Sequence, residues 1–304
     1  MTLKDYLKEA KERHYAIGHF NFATEDVLRG IIEASKESDA PAVMVGTSEG
    51  EADFFGLDEA VAVVKAARKH FDYPVFLNAD HFKSFDKCRE AIDAGYDSVI
   101  IDTSKMEYND NVSSAKKVVE YAKSINPDIT VEGELGYLKG SSEVQQKVEV
   151  SIDDYTKPEM TRDFVDKTGV SRMAVVFGNI HGIVTEVIHI NTAPTPGGVG
   201  VPTETSGEEK LDVEHFKKIV AAVPEVDYVL HGASGLKDED VAAAIKAGVN
   251  NVHFNTELRV AYQHKIHEIM NEKPSETTPY KYLKPAVEEV KKIVSAKINL
   301  FMGK

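Results

Sequence analysis

Asp227-Tyr228-Val229-Leu230-His231-Gly232-Ala233-Ser234-Gly235 reads as a short strand that stops in an imidazole and a glycine-rich turn. The near-continuous apolar run is the pattern of a strand covered on both faces. Lys237–Lys246 follows as a helix, closed by Ala247-Gly248, a left-handed C-terminal stop. The same unit recurs along the rest of the chain. Strand patterns fall at Tyr15–Asn21, Ala42–Thr47, Val75–Ala79, Ser98–Asp102, Ile129–Glu134, Met173–Gly178 and Asn251–Asn255. Helical patterns fall at Glu25–Ser38, Leu57–His70, Phe85–Ala94, Val112–Ser124, Pro158–Thr168, Val213–Val223 and Thr256–Asn271. Eight strands, each followed by a helix, predict an α/β fold, a closed (β/α)8 TIM barrel, as a single domain over residues 1–304. An open doubly wound sheet is the alternative, and the missing Gly-x-Gly-x-x-Gly after the first strand counts against it.

Two helices lie outside the eightfold count. Met1–Ala10 reads as an amphipathic helix, and Pro285–Phe301 as a terminal helix packed over the barrel or against a neighbour. Two connections are long, from Gly136 to about Lys157 and from Gly182 to about Leu211, and both are read as functional lid loops. The formal net charge of −14 leaves no basic footprint for nucleic acid and no general attraction to anionic lipid. No stretch approaches the roughly 20 apolar residues of a membrane span, and the N-terminus lacks the apolar run of a signal peptide. A lone cysteine, Cys88, permits no disulfide within one chain and suits a reducing cytoplasm.

In a (β/α)8 enzyme the site lies at the C-terminal ends of the strands. Those ends read Asn21, Thr47-Ser48, Asp80-His81, Asp102, Glu134, Asn179 with His181, His231 and Asn255-Thr256. Three imidazoles at three strand ends are hard to explain by packing, and they suit one Zn²⁺ with an open coordination position. Of the 11 histidines, His14, His70, His215, His264 and His267 fall on helices or linkers and are read as solvated. His19 and His189 stay open. Asp80 is either a turn former, a group orienting an imidazole, or a carboxylate turned into the mouth with His81. Glu132 and Glu134 share one strand face, which is costly unless they are paired or metal-bound. Gly182, Gly232, Ser234 and Gly235, with the helix start at Asn255-Thr256, offer backbone N–H groups to a phosphate. No lysine ends a predicted strand, because Lys105 and Lys139 lie a few residues into loops. That argues against Schiff-base chemistry, so a metal has to serve as the electron sink.

The chain resembles the class II, metal-dependent fructose-bisphosphate aldolases and their tagatose-bisphosphate relatives, in the shorter branch of the family. The resemblance rests on Asp80-His81, Val131-Glu132-Gly133-Glu134-Leu135-Gly136, Gly178-Asn179-Ile180-His181-Gly182 and His231-Gly232-Ala233-Ser234-Gly235. Lys210-Leu211-Asp212, Asn255-Thr256-Glu257-Leu258-Arg259 and Lys281-Tyr282-Leu283-Lys284-Pro285-Ala286 extend it nearly end to end. It implies that His81, His181 and His231 hold the catalytic Zn²⁺, with Glu134 and Asp102 as a secondary or alternative metal position. Asp80 is then the acid/base at the C4 hydroxyl, and Glu143 exchanges the proton at C3 of dihydroxyacetone phosphate. Gly182, Gly232, Ser234, Asn255 and Thr256 hold the dihydroxyacetone phosphate end, with Asn21 and Thr47 or Ser48 on the same half. His253 stands where the family often has a substrate-binding Asn. Arg259 reaches the far phosphate, often across a subunit boundary in the family. A monovalent cation, Na⁺ or K⁺, is usual near the first phosphate.

The activity so implied is zinc-dependent, reversible aldol cleavage of fructose 1,6-bisphosphate in glycolysis and gluconeogenesis, by a cytoplasmic homodimer or homotetramer. The alternatives are a tagatose-bisphosphate aldolase, a zinc hydrolase using Asp80 to activate water, and a catalytically weak sugar-phosphate-binding barrel. Five departures from the family pattern bear on substrate detail and rate. They are Asn78 in place of a histidine, Phe82 in place of a small residue, His253, a loop glutamate, Glu143, one residue later than usual, and a longer segment after His181 without the usual lysine close behind the glycine.

Overall fold

The computed structural model describes residues 1–136, 138–191, 203–207 and 209–304. Its strands are β1 (Ile17–Asn21), β2 (Val43–Ser48), β3 (Val75–Phe82), β4 (Ser98–Ile101), β5 (Thr130–Leu135), β6 (Gly140–Ser151), β7 (Arg172–Val175), β8 (His181–Asn191), β9 (Thr203–Gly207), β10 (Asp227–Leu230) and β11 (Val249–Phe254). The helices are α1 (Leu3–Arg13), α2 (Glu25–Glu37), α3 (Glu49–Phe55), α4 (Leu57–Phe71), α5 (Phe85–Ala94), α6 (Tyr108–Ile125), α7 (Pro158–Thr168), α8 (Val213–Ala222), α9 (Asp238–Ala247), α10 (Thr256–Glu272) and α11 (Pro279–Phe301). Eight strands close into a parallel barrel in the order β1-β11-β10-β7-β5-β4-β3-β2. The closing pair sets Ile17 against Asn251 and Phe20 against Phe254. The expected (β/α)8 fold is therefore present.

The core lies between strands and helices, where the outward-facing apolar residues of each strand meet a helix. Val290, Val294, Ile298 and Phe301 line one face of α11 at helical spacing and are buried. Gly30 of α2 permits that helix to come close, because a Cβ there would crowd the Val287 side chain. The N-terminal helix α1 starts with a reciprocal cap between Thr2 and Asp5. Its Leu3, Leu7 and Ala10 cover Tyr15, Ile17, Ala42 and Met44. Among the described residues no helix is long and apolar enough to cross a membrane.

The two long connections differ from expectation. Much of each is strand, and together they build a second sheet in the order β6-β8-β9 beside the barrel mouth. β6 pairs parallel with β8, and β8 antiparallel with β9. Its small apolar cluster is Val148, Val150, Ile180 and Val187. Tyr137, residues 192–202 and residue 208 lie outside the described residues, so the Pro/Gly-rich part of the second predicted lid does too. The terminal helix starts at Pro279 rather than Pro285, which it carries in its interior.

Candidate active site

The site begins with an irregularity in β3. This strand runs past Ala79 to Phe82, and its register against β4 shifts between those residues: Ala79 pairs with Val99, but Phe82 pairs with Ile101. The extra residue is a bulge, and His81 within it has φ +54°, a left-handed value rare outside glycine. Normal alternation would send Asp80 and His81 to opposite faces. Here both line one cavity at the barrel mouth.

Three histidines meet there. His81 Nε2 is 2.9 Å from His231 Nδ1, and the His181 ring centroid is 4.9 Å from that of His81. One ring nitrogen from each of the three falls within 4.8 Å of the others. His81 Nδ1 faces the opposite way, 3.1 Å from Asp102 Oδ2 and 3.3 Å from Glu134 Oε2. His181 is the first residue of β8, anchored by its amide donating to Lys139 O at 2.8 Å. Gly182 and Gly232 both have positive φ, and a Cβ on either would strike a neighbouring backbone carbonyl. Only glycine lets those turns approach so closely.

Burial disfavours charge on every group in the cluster, and the neighbours decide the outcome. Burial lowers His81, but Asp80, Asp102 and Glu134 outweigh it and hold the imidazole well above its ordinary value. Burial raises Asp80, but His81, His19, His231 and the Asn21 amide bring the carboxyl down to about 2. Asp102 is also lowered, with the His81 hydrogen bond overcoming burial. Glu134 is raised by burial and by Asp102. His181 is lowered by burial and by His81. Three imidazoles converging on one point, with carboxylates behind His81, fit a divalent cation. His81, Asp102 and Glu134 form a second group of donors within the same 4.8 Å limit.

Asp80 Oδ2 accepts from Asn21 Nδ2 at 2.9 Å. Its buried Oδ1 has no hydrogen-bond partner and lies 3.3 Å from His253 Nδ1. His253 stacks on His19 with ring centroids 3.7 Å apart and planes 12° from parallel, and Asn78 Nδ2 meets His19 Nε2 at 3.1 Å. Burial holds both imidazoles well below their ordinary value. His19 is thus buried inside the barrel, and the Asn78 and His253 departures sit beside it.

The mouth cavity is lined by Asn21, Asp80 and the three histidines, together with Gly182, Gly232, Ser234, His253, Asn255 and Thr256. A wider outer cavity adds Ser48, Asp102, Glu134 and Arg259, with Lys83 and Lys105 at its edge. Two expected residues line neither cavity. The Thr47 hydroxyl is buried against Tyr96 OH at 2.8 Å, and the exposed Glu143 on β6 borders a side cavity with Thr256 and Arg259. His215 is not simply solvated, since its Nε2 lies 2.7 Å from Thr156 O. Nothing is described of the His189 side chain.

Two features were not anticipated from sequence. Arg172 is fully buried against Glu132, and Glu51 caps α3 while accepting from Asn21 at 2.8 Å. A carboxylate as deep as Glu132 requires a cation partner. That requirement was the available signal for Arg172.

Residues 1–304 match the family model described as fructose-bisphosphate aldolase class-II. A fructose-bisphosphate aldolase of Staphylococcus aureus (strain Mu50 / ATCC 700699) is 34% identical over 306 residues, covering 99% of this chain and 96% of the relative. The chain belongs to the class II fructose-bisphosphate aldolase family, whose members are generally metal-dependent, and it is an aldolase. Among solved structures, the YdjI aldolase from Escherichia coli K12 has a TM-score of 0.78 at 26% identity, covering 98% of this chain and 96% of that one. The fructose-bisphosphate aldolase of Campylobacter jejuni shares the fold, with a TM-score of 0.73 at 21% identity over 98% of this chain and 93% of that one.

Proposed function

We propose that the chain catalyses reversible cleavage of fructose 1,6-bisphosphate to dihydroxyacetone phosphate and glyceraldehyde 3-phosphate. One observation carries the reading: Asp80, acidic and with one oxygen that has no hydrogen-bond partner, shares a cavity with three convergent histidines. His81, His181 and His231 hold a Zn²⁺ ion, and Asp102 with Glu134 offers an alternative position. When bound, the ion supplies Lewis-acid polarisation of the substrate ketone. Asp80 is a base at neutral pH, taking the C4 hydroxyl proton in cleavage and returning it in condensation. Asn21 occupies Oδ2, which leaves Oδ1 for that hydroxyl.

Gly182, Gly232, Ser234, Asn255 and Thr256 at the start of α10 cradle the dihydroxyacetone phosphate end through backbone donors, with Na⁺ or K⁺ nearby. Ser48 and His253 contact the sugar, Arg259 takes the far phosphate, and Glu143 exchanges the C3 proton. The reading takes residues 1–304 as one domain, in a cytoplasmic homodimer or homotetramer. The test is a coupled triose-phosphate assay on fructose and tagatose bisphosphates, with metal-loaded and metal-stripped protein. The loaded protein is expected to cleave the fructose substrate and the stripped protein neither. Cleavage by stripped protein, or borohydride trapping of dihydroxyacetone phosphate on a lysine, overturns the mechanism.

A further inference from the structure

Arg172 and Glu132 are direct register partners on β7 and β5, and both are 0% exposed. The guanidinium is 2.7 Å from Glu132 Oε2. It also donates to Ser98 Oγ at 2.6 Å and to Asn251 Oδ1. The other carboxylate oxygen, Oε1, is 2.6 Å from His231 Nε2. On the far side of the same ring, Nδ1 faces His81 Nε2 at 2.9 Å. A chain of contacts therefore runs from the middle of the barrel to the metal-facing nitrogen.

A buried ion pair adds little to stability, since apolar residues of similar volume are commonly as good or better. Its geometry is what an apolar pair cannot reproduce. We propose that Arg172 is a positioning residue for the metal centre. By pinning Glu132 from below, it keeps Oε1 as the acceptor for His231 Nε2–H and leaves the lone pair on Nδ1 to meet the cation. The ring can then neither flip nor present the wrong nitrogen. The inference rests on the reading of His231 as a metal ligand.

The test compares Arg172→Met, Glu132→Gln and the double variant. It measures Zn²⁺ affinity by chelator competition and the absorption spectrum of the Co²⁺ form. Each single change is expected to weaken Zn²⁺ by about 10–100-fold, the usual range for a group that orients a ligand, and to alter the Co²⁺ spectrum. Arg172→Met added to Glu132→Gln is expected to change affinity by less than about two-fold, because Arg172 acts through Glu132. Unaltered affinity and spectrum in Arg172→Met overturn the proposal, as do losses that multiply in the double variant. If Arg172→Met does not fold, the double variant against Glu132→Gln decides alone: equal affinity supports the proposal, and a further loss of about tenfold overturns it. His231→Ala binding Zn²⁺ as tightly as the unaltered chain would instead remove the metal-site reading beneath it.

Discussion

Asp80 at the barrel mouth and Glu209 beside Ile180 are carboxylates whose acidities lie far apart. Asp80 is buried and held at about 2. Glu209 is only half-buried, yet burial pushes it up to about 9. Exposure alone would order them the other way, so the partners decide. Asp80 has three histidines around it and an Asn21 amide on one oxygen. Among the described residues Glu209 has one hydrogen bond, from the Ile180 amide at 2.9 Å, and Asp240 adds repulsion. A carboxylate among imidazoles stays ionised at neutral pH. One whose burial is offset by little more than the Ile180 amide is held towards its neutral form.

The largest break in this comparison comes from His81→Ala. It is expected to lose Zn²⁺ and with it all measurable turnover, checked by metal content and by the coupled assay. It also removes the first imidazole that holds Asp80 acidic. Asp80→Ala is expected to keep Zn²⁺ and lose at least about 10²-fold in cleavage, the scale of a missing general acid or base. Equal loss of metal in both variants would show the two roles to be wrongly divided.

A finer test uses pH. In the metal-free protein His81 holds its proton well above the ordinary imidazole value, and that proton must leave before its nitrogen can bind a cation. Zn²⁺ affinity is therefore expected to rise with pH through and above neutrality, by about tenfold per unit for one proton released. A flat calorimetric profile from pH 6 to 8 would contradict it. The smallest effect is at Glu209. An acid raised in the folded state contributes stability that is fully present below its unfolded value of about 4.5 and lost as pH climbs towards about 9. Glu209→Gln is expected to leave stability at pH 4 nearly unchanged. At pH 9 it should raise it by on the order of 1 kcal/mol, discounted for partial exposure. Melting curves at both pH values check this, and equal shifts would mean that ionisation is not the cause.

The barrel was legible because each unit carries two independent signals, an apolar strand and an amphipathic helix. The histidines were legible because an imidazole at a strand end has no packing purpose. The second sheet was hidden by composition. In β6, Ser141, Glu143, Gln145, Lys147 and Glu149 alternate with Val148 and Val150, but the opening Gly140-Ser141-Ser142 reads as loop. The polar barrel interior was hidden for a different reason. Starting the strand at Met173 left Arg172 outside it, although β7 begins at that residue and turns it inward against Glu132. Periodicity reports which positions are covered, and it is silent on which buried charges meet.

The bulge in β3 has one further consequence. Because Asp80 and His81 are adjacent and both face the mouth, their backbones are joined by a single peptide unit, about 3.8 Å from Cα to Cα. Packing changes elsewhere can shift that unit, but they shift both partners together. Variation in the other seven strands can reshape the space around the two residues without changing that backbone spacing.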